Sequence, residues 1–160
     1  GFATAEAVAQ PAPRPSIRAI RLDEPPVLDG DVLGDPVWQA MDSVTGFIQV
    51  EPDDGQPASE KTEVRIGFDS QVLYIGVVLY DSEPETLTVS DSRRDANLDG
   101  EDSFRVIFDT FRDRNNGFVF GTNLAGIQHD GQVTDEGRSG GGGRRRSGGG
   151  GFNREWNTSW

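Results

Sequence analysis

Thr62, Val64, Ile66 and Phe68 alternate with Glu63, Arg65, Gly67 and Asp69. A period of two sends successive side chains to opposite faces of a strand, so this stretch predicts a strand with one apolar buried face and one wet face. Asp69-Ser70-Gln71 reads as a turn. Residues 72–80 then run almost without a polar break, as expected of a central strand covered on both faces. Residues 61–69 and 72–80 should therefore pair as an antiparallel hairpin. A second hairpin is expected between residues 103–109 and 118–123, with Asn116-Gly117 as the turn signal. Shorter strands are predicted at residues 16–22, 47–50, 87–89 and 127–130. Asp35-Pro36 marks a helix start, Asp at the N-cap and Pro at the first helical position, leading into Val37, Trp38 and Met41. Trp38 is expected to plug the core from this turn. Many short strands and one short helix argue an all-β fold, an antiparallel β-sandwich of jelly-roll or immunoglobulin-like type.

Two polar segments flank this pattern. Residues 1–15 hold Ala and three prolines without periodicity, and Ala5-Glu6-Ala7 and Ala7-Val8-Ala9 resemble a signal cleavage site. The segment reads as the remnant of a signal peptide or as a linker, and the first reading makes the protein an exported one. Residues 137–151 contain nine glycines and four arginines, which leaves little to pack, and a flexible insertion is expected there. Residues 16–160 then form one domain. Aromatic content rises again towards Trp156 and Trp160, so the chain is expected to enter another ordered element, with the sheet incomplete at residue 160.

The net charge of −12 argues against phosphate-backbone binding, and no nucleic-acid partner is expected. The absence of cysteine excludes disulfides and thiolate chemistry, and a single histidine, His129, rules out a multi-histidine metal site within the chain. No apolar run reaches the ~18 residues of a membrane-spanning helix. Gly137-Arg138-Ser139-Gly140-Gly141 matches G-x-S-x-G but lies in a glycine run without the strand and helix that a nucleophile elbow needs. No catalytic constellation emerges, and a non-enzymatic role is expected.

Asp95-Ala96-Asn97-Leu98-Asp99-Gly100 fits the first half of a calcium loop, in which alternate oxygens turn towards one cation. Val106 stands where the bidentate acid belongs, and Glu101 or Asp102 would have to substitute. Asp95, Asn97, Asp99 and Asp102, with Asp81 nearby, are the candidate metal ligands, and calcium is the candidate cofactor. The competing reading is an acidic surface loop. Trp156 and Trp160, four residues apart, would point the same way on a strand and could stack on sugar rings. Core packing is the competing reading.

Asp29-Gly30 leading to Trp38, the strand Leu73-Tyr74-Ile75 ending at Tyr80-Asp81, and Asp102-Ser103 leading to Asp109 together resemble family 9 carbohydrate-binding modules. Arg93-Arg94-Asp95, Phe108 to Asp113, Thr122 to Gln128, and Trp156 to Trp160 are similar to the N-terminal module of large bacterial envelope proteins. The resemblance implies a calcium-associated β-sandwich, with Asp81 and Asp102 matching family acids near the ion. It also implies residence in the periplasm or outer membrane, beside the rest of the parent chain and a possible outer-membrane barrel. The chain departs from the family at the sugar site. No aromatic residue stands in Leu98-Asp99-Gly100-Glu101, Arg105 replaces an acid, and Gly121 replaces an arginine.

The expected function is a non-catalytic module that binds a polysaccharide or oligosaccharide, in the context of carbohydrate catabolism. The alternative is a structural or interaction domain that has lost sugar binding. If sugar binding persists, it is expected at Trp156 and Trp160, with Arg94 and Asn123 bonding hydroxyls. A redox reading would need Met41 and His129 as haem ligands, and a glycosidase reading would need a suitably spaced pair of carboxylates.

Overall fold

The computed structural model describes residues 15–89, 91–134 and 151–160. Residues 1–14, the leader or linker of the sequence reading, lie outside the described residues. So do positions 137–150 of the Gly/Arg-rich insertion, including the G-x-S-x-G match. The chain divides into two compact units, residues 1–84 and 85–160. Each carries a four-stranded sheet, helix is almost absent, and the fold is all-β and sandwich-like.

In the first unit the strands are β1 (Ile20–Arg21), β2 (Ser43–Val44), β3 (Thr62–Phe68) and β4 (Leu73–Leu79), with one helix, α1 (Pro36–Gln39). The expected hairpin is present: β3 and β4 pair antiparallel from Thr62–Leu79 to Phe68–Leu73. A strand has only two edges, so β1 and β2 share the other edge of β3 end to end. β2 pairs antiparallel at Arg65 and Val64, whereas β1 pairs parallel at Gly67 and Phe68. Asp35 caps α1 as its sequence predicts: its side chain accepts from the Val37 amide at 2.7 Å and from the Val27 amide at 2.7 Å.

The packing of this sheet corrects the reading of its faces. Register places Glu63, Arg65 and Gly67 on one face with Val78, Gly76 and Tyr74. This face, expected to be wet, is where Trp38, Met41 and Tyr74 gather with Ile20, Leu22 and Val37. Two glycines make the room. A Cβ at Gly76 would lie 2.8 Å from Trp38 Cε3, and one at Gly67 would lie 2.9 Å from Leu22 Cδ1 and 3.0 Å from Met41 Cε. Trp38 is thus the expected plug, buried to 3% exposure. Glu63 and Arg65 are buried with it. The Arg65 guanidinium reaches the Met41 carbonyl at 2.7 Å and Glu63 at 3.4 Å, while Lys61 closes on Glu63 at 2.5 Å. Burying charge is tolerable only with such partners. Lys61 first, and then Tyr80 and Arg65, hold the Glu63 carboxyl below the usual range.

Conversely, Phe68, Leu73 and Leu79 on the apolar face are substantially exposed. The expectation of a central strand over 72–80 is corrected likewise. Among the described residues β4 pairs only with β3, and its burial alternates. The strand expected at 47–50 is reduced to a single bridge, Ile48 with Pro57. Pro57 has no N–H to continue a ladder.

In the second unit β5 (Ser103–Phe108), β6 (Gly117–Asn123), β7 (His129–Val133) and β8 (Phe152–Asn153) form an antiparallel meander in that order. The β5–β6 hairpin is the one expected. No strand forms at 87–89, where the Thr88 amide donates to the Asp102 carboxylate at 2.8 Å instead of to a ladder. The strand expected at 127–130 begins at His129, because Leu124-Ala125-Gly126 turns first, with Gly126 at φ +70. Ala96, Leu98 and Ile127 form this unit's buried cluster.

Candidate functional site

Register sorts the second sheet into two chemically different faces. Phe104, Val106 and Phe108 of β5 lie opposite Thr122, Phe120 and Phe118 of β6. Phe118 and Phe120 in turn lie opposite Gln132 and Asp130 of β7. All these side chains project from one face, which is apolar and mostly aromatic apart from Thr122 and the polar strip at its β7 side. The other face carries Arg105, Gly121, Asn123 and His129, and there His129 stacks on Phe152 with ring centres 5.5 Å apart.

Trp156 and Trp160 meet the aromatic face. They stand in an irregular segment after β8, so the expectation that a strand aims them is corrected. Trp156 packs on Phe118 at 4.6 Å between centroids and edge-on to Phe120 at 6.0 Å, and Trp160 meets Phe120 edge-on at 5.5 Å. Trp156 is half-buried, whereas Trp160 keeps 49% of its surface exposed.

Arg94 sits beside them and is held by its loop. Asp95 takes a left-handed conformation at φ 59, its amide donates to the Gln128 carbonyl at 3.0 Å, and its carboxylate accepts from the Asp130 amide at 3.4 Å. From this position the Arg94 guanidinium donates to Asn157 Oδ1 at 3.1 Å and to the Thr158 carbonyl at 3.0 Å. It also donates to Asp130 Oδ1 at 2.5 Å and to Gln128 Oε1. Asp130 is fully buried, and its second oxygen accepts from the Thr158 amide at 2.7 Å. Gln128 Nε2 donates to the Trp160 carbonyl at 2.7 Å. Arg94 therefore grips backbone and side chains of this same polypeptide.

Asn123, the fourth expected sugar contact, points elsewhere. Its amide donates to the Asp91 carbonyl at 2.9 Å and to Glu101 at 3.2 Å, and its oxygen accepts from the Ala125 amide at 2.9 Å. Both ends of the amide bind loops to β6. Beside it the Arg93 guanidinium holds the Asp91 carboxyl down to about 2.

The three positions that depart from the family pattern come together. Leu98, 2% exposed, fills the space over Gly121, where a Cβ would meet Leu98 Cδ1 at 2.9 Å and Arg105 Cγ at 3.2 Å. Arg105 reaches Asp99 at 2.9 Å. Leu98 is buried here, whereas the Arg105–Asp99 pair lies at the surface. A shallow hollow of about 380 Å3 in the first unit, lined by Glu24, Val27, Asp31 and Pro36 among others, has no aromatic wall.

The candidate calcium ligands each have a partner within the chain. Asp95 faces Arg94 and the Asp130 amide, and Asn97 accepts from the Asp99 amide at 3.1 Å. Asp99 is turned to Arg105, Asp102 accepts from the Thr88 amide, and Asp81, in the first unit, accepts from the Glu83 amide at 2.7 Å. No three acidic, histidine or cysteine side chains among the described residues are gathered so as to hold a metal ion.

Comparison with protein-family models, with curated proteins and with solved structures returns no match. The site is thus argued from its own geometry. Sequence reasoning missed Asp130, Gln128, Phe118 and Phe120. The legible signal was an acid inside a strand, flanked two residues away on either side by Gln128 and Gln132, next to a Phe-x-Phe strand. Period two puts each of these sets on one face.

Proposed function

We propose that this chain is a non-catalytic β-sandwich module of an exported bacterial envelope protein, of the family 9 carbohydrate-binding type in architecture, that serves structure or interaction rather than sugar capture. The observation that carries this reading is the filled site: Leu98 buried over Gly121, with Arg105 paired to Asp99. A sugar site commonly needs an apolar platform beside uncommitted polar groups. Here the polar groups at Arg94 and Asn123 are committed within the chain. Residence in the periplasm or at the outer membrane, and attachment to a barrel in the parent protein, belong to the same proposal. No described helix is long and apolar enough to cross a membrane, which says nothing of a barrel.

Carbohydrate binding is the second reading, favoured by one observation: the Trp160 ring is half-exposed next to a polar strip. Titration of the chain with xylan, cellulose and chitin oligosaccharides, read by tryptophan fluorescence and calorimetry, separates the two. The interaction reading expects no saturable response. A saturable response that disappears in Trp160→Ala would replace it with the carbohydrate reading.

A further inference from the structure

Residues 155–159 read Glu-Trp-Asn-Thr-Ser, and Asn157-Thr158-Ser159 is the single N-x-Ser/Thr triplet in the chain. That triplet is the acceptor signature of N-linked glycosylation, a modification of surface loops in exported proteins. The transferase takes the asparagine amide and holds the hydroxyl two residues after it, and the bacterial enzymes also read a carboxylate two residues before it. Glu155 stands at that place, and neither intervening residue, Trp156 or Thr158, is proline. The fold leaves these groups accessible. Glu155, Asn157 and Ser159 are exposed, and residues 156–160 follow the last strand without joining a ladder, so no sheet pairing has to open to admit them. The holds on the segment spare the reacting atom. Asp130 takes the Thr158 amide at 2.7 Å, and Arg94 takes the Thr158 carbonyl at 3.0 Å and Asn157 Oδ1 at 3.1 Å. Among the described residues no acceptor meets Asn157 Nδ2. The oxygen that Arg94 holds is retained in a glycosylated asparagine, so this contact can outlast the modification.

We propose that Asn157 is the acceptor of an N-linked glycan, transferred from a polyprenyl-diphosphate-linked oligosaccharide. Nδ2 attacks the anomeric carbon of the first sugar. A C–N bond forms as the C–O bond to the diphosphate breaks, polyprenyl diphosphate leaves with the bonding pair, and one amide proton passes to a base of the transferase. The inference rests on the export proposed above only for the compartment in which the chain would meet that donor.

The test uses the full folded chain, a purified bacterial oligosaccharyltransferase and a polyprenyl-diphosphate-linked oligosaccharide, read by intact mass and by fragmentation of the peptide that carries Asn157. The wild type should gain one glycan at Asn157. Asn157→Gln and Ser159→Ala should gain none, and Glu155→Gln should react at least about tenfold more slowly, the worth of a charge-assisted contact. Circular dichroism checks that each variant keeps its sheet. Ser159→Ala is the decisive one, because it leaves in place the Asn157 and Thr158 groups that Arg94 and Asp130 hold. The proposal is overturned if the folded chain stays unmodified while a control acceptor peptide reacts, if Ser159→Ala is modified like the wild type, or if Glu155→Gln makes no difference. Because the assay supplies enzyme and donor, its failure removes the acceptor site alone. The export reading is judged separately, by fractionation of cells that make the parent protein.

Discussion

Replacing Gly76 by alanine tests the assignment of the core to the glycine-bearing face of β3 and β4. The added methyl would lie 2.8 Å from Trp38 Cε3 and Cζ3 and 3.2 Å from Cδ2. Carbon atoms sit comfortably at ~3.5–4.0 Å, so the indole has to retreat by about 0.7 Å or more. It has little freedom to do so: Trp38 is 3% exposed, and its Nε1 already reaches the Val27 carbonyl at a long 3.4 Å. Overpacking of this kind costs about 1–3 kcal/mol. Alanine in a strand would otherwise gain about 0.5–1 kcal/mol over glycine. The expected net loss is about 1–2 kcal/mol, or a fall in Tm of roughly 2–8 °C for a chain of this size. Urea denaturation of four chains measures it: wild type, Gly76→Ala, Trp38→Leu and the double variant. Trp38→Leu alone should cost more, since it opens a cavity. In that background the alanine methyl enters empty space and should be neutral or favourable, giving a coupling of about 1–3 kcal/mol. If Gly76→Ala is as stable as the wild type, or costs the same in both backgrounds, the methyl does not meet the indole and this face is not the core.

Three further outcomes are expected. Arg93 lowers the Asp91 carboxyl from 3.8 to about 2, and Glu63, Asp69 and Asp113 are lowered by Lys61, the Gln71 amide and Asn116 respectively. These groups bind protons less readily folded than unfolded, so their stabilisation is complete above about pH 5 and is lost as pH falls through the folded values. Urea midpoints across pH 1.5–6 should show this acid limb, with a shallower one in Asp91→Asn. Thr134 and Gly151 are bonded across the β7–β8 pair, the Thr134 amide to the Gly151 carbonyl at 3.0 Å. Exchange of residues 135–150 for Asn-Gly should therefore keep the fold and add about 2 kcal/mol through the shorter loop, and a loss of stability would contradict the hairpin. Millimolar calcium should leave Tm unchanged against a chelator control, because Asp95, Asp99 and Asp102 each face another partner. A rise would mean that the loop rearranges around the ion.

The two hairpins were legible because their causes are local: alternation over seven residues, a turn residue at the right place, an Asp-Pro helix start. Which face of β3 is buried is a different kind of fact. Glu63 and Arg65 read as solvent-facing by residue type, and they are buried because Met41, 24 positions before Arg65, offers a carbonyl to the guanidinium. Gly67 and Gly76 read as weak strand residues. They are the vacancies into which Leu22, Met41 and Trp38 fit, and nothing in a glycine announces what fills the space beside it.

The same limit governs the candidate site. Arg94, Trp156 and Trp160 were grouped as candidate sugar contacts, and the fold brings Arg94 against the segment that carries the two indoles. What they bind could not be read from them, because a guanidinium and an indole suit a sugar and a peptide backbone equally well. The distinction lies in the complement: a buried carboxylate at Asp130, 36 positions from Arg94, with one oxygen for the guanidinium and the other for a backbone amide. The calcium pattern meets the same limit. Asp95, Asn97 and Asp99 have the spacing of ligands, and in the fold their oxygens meet the Asp130 amide, the Asp99 amide and Arg105 respectively. Spacing therefore identifies which groups could act together. Whether they do depends on the donors that the rest of the chain delivers to them, and here the donors come from Arg94, Arg105 and the backbone of residue 158.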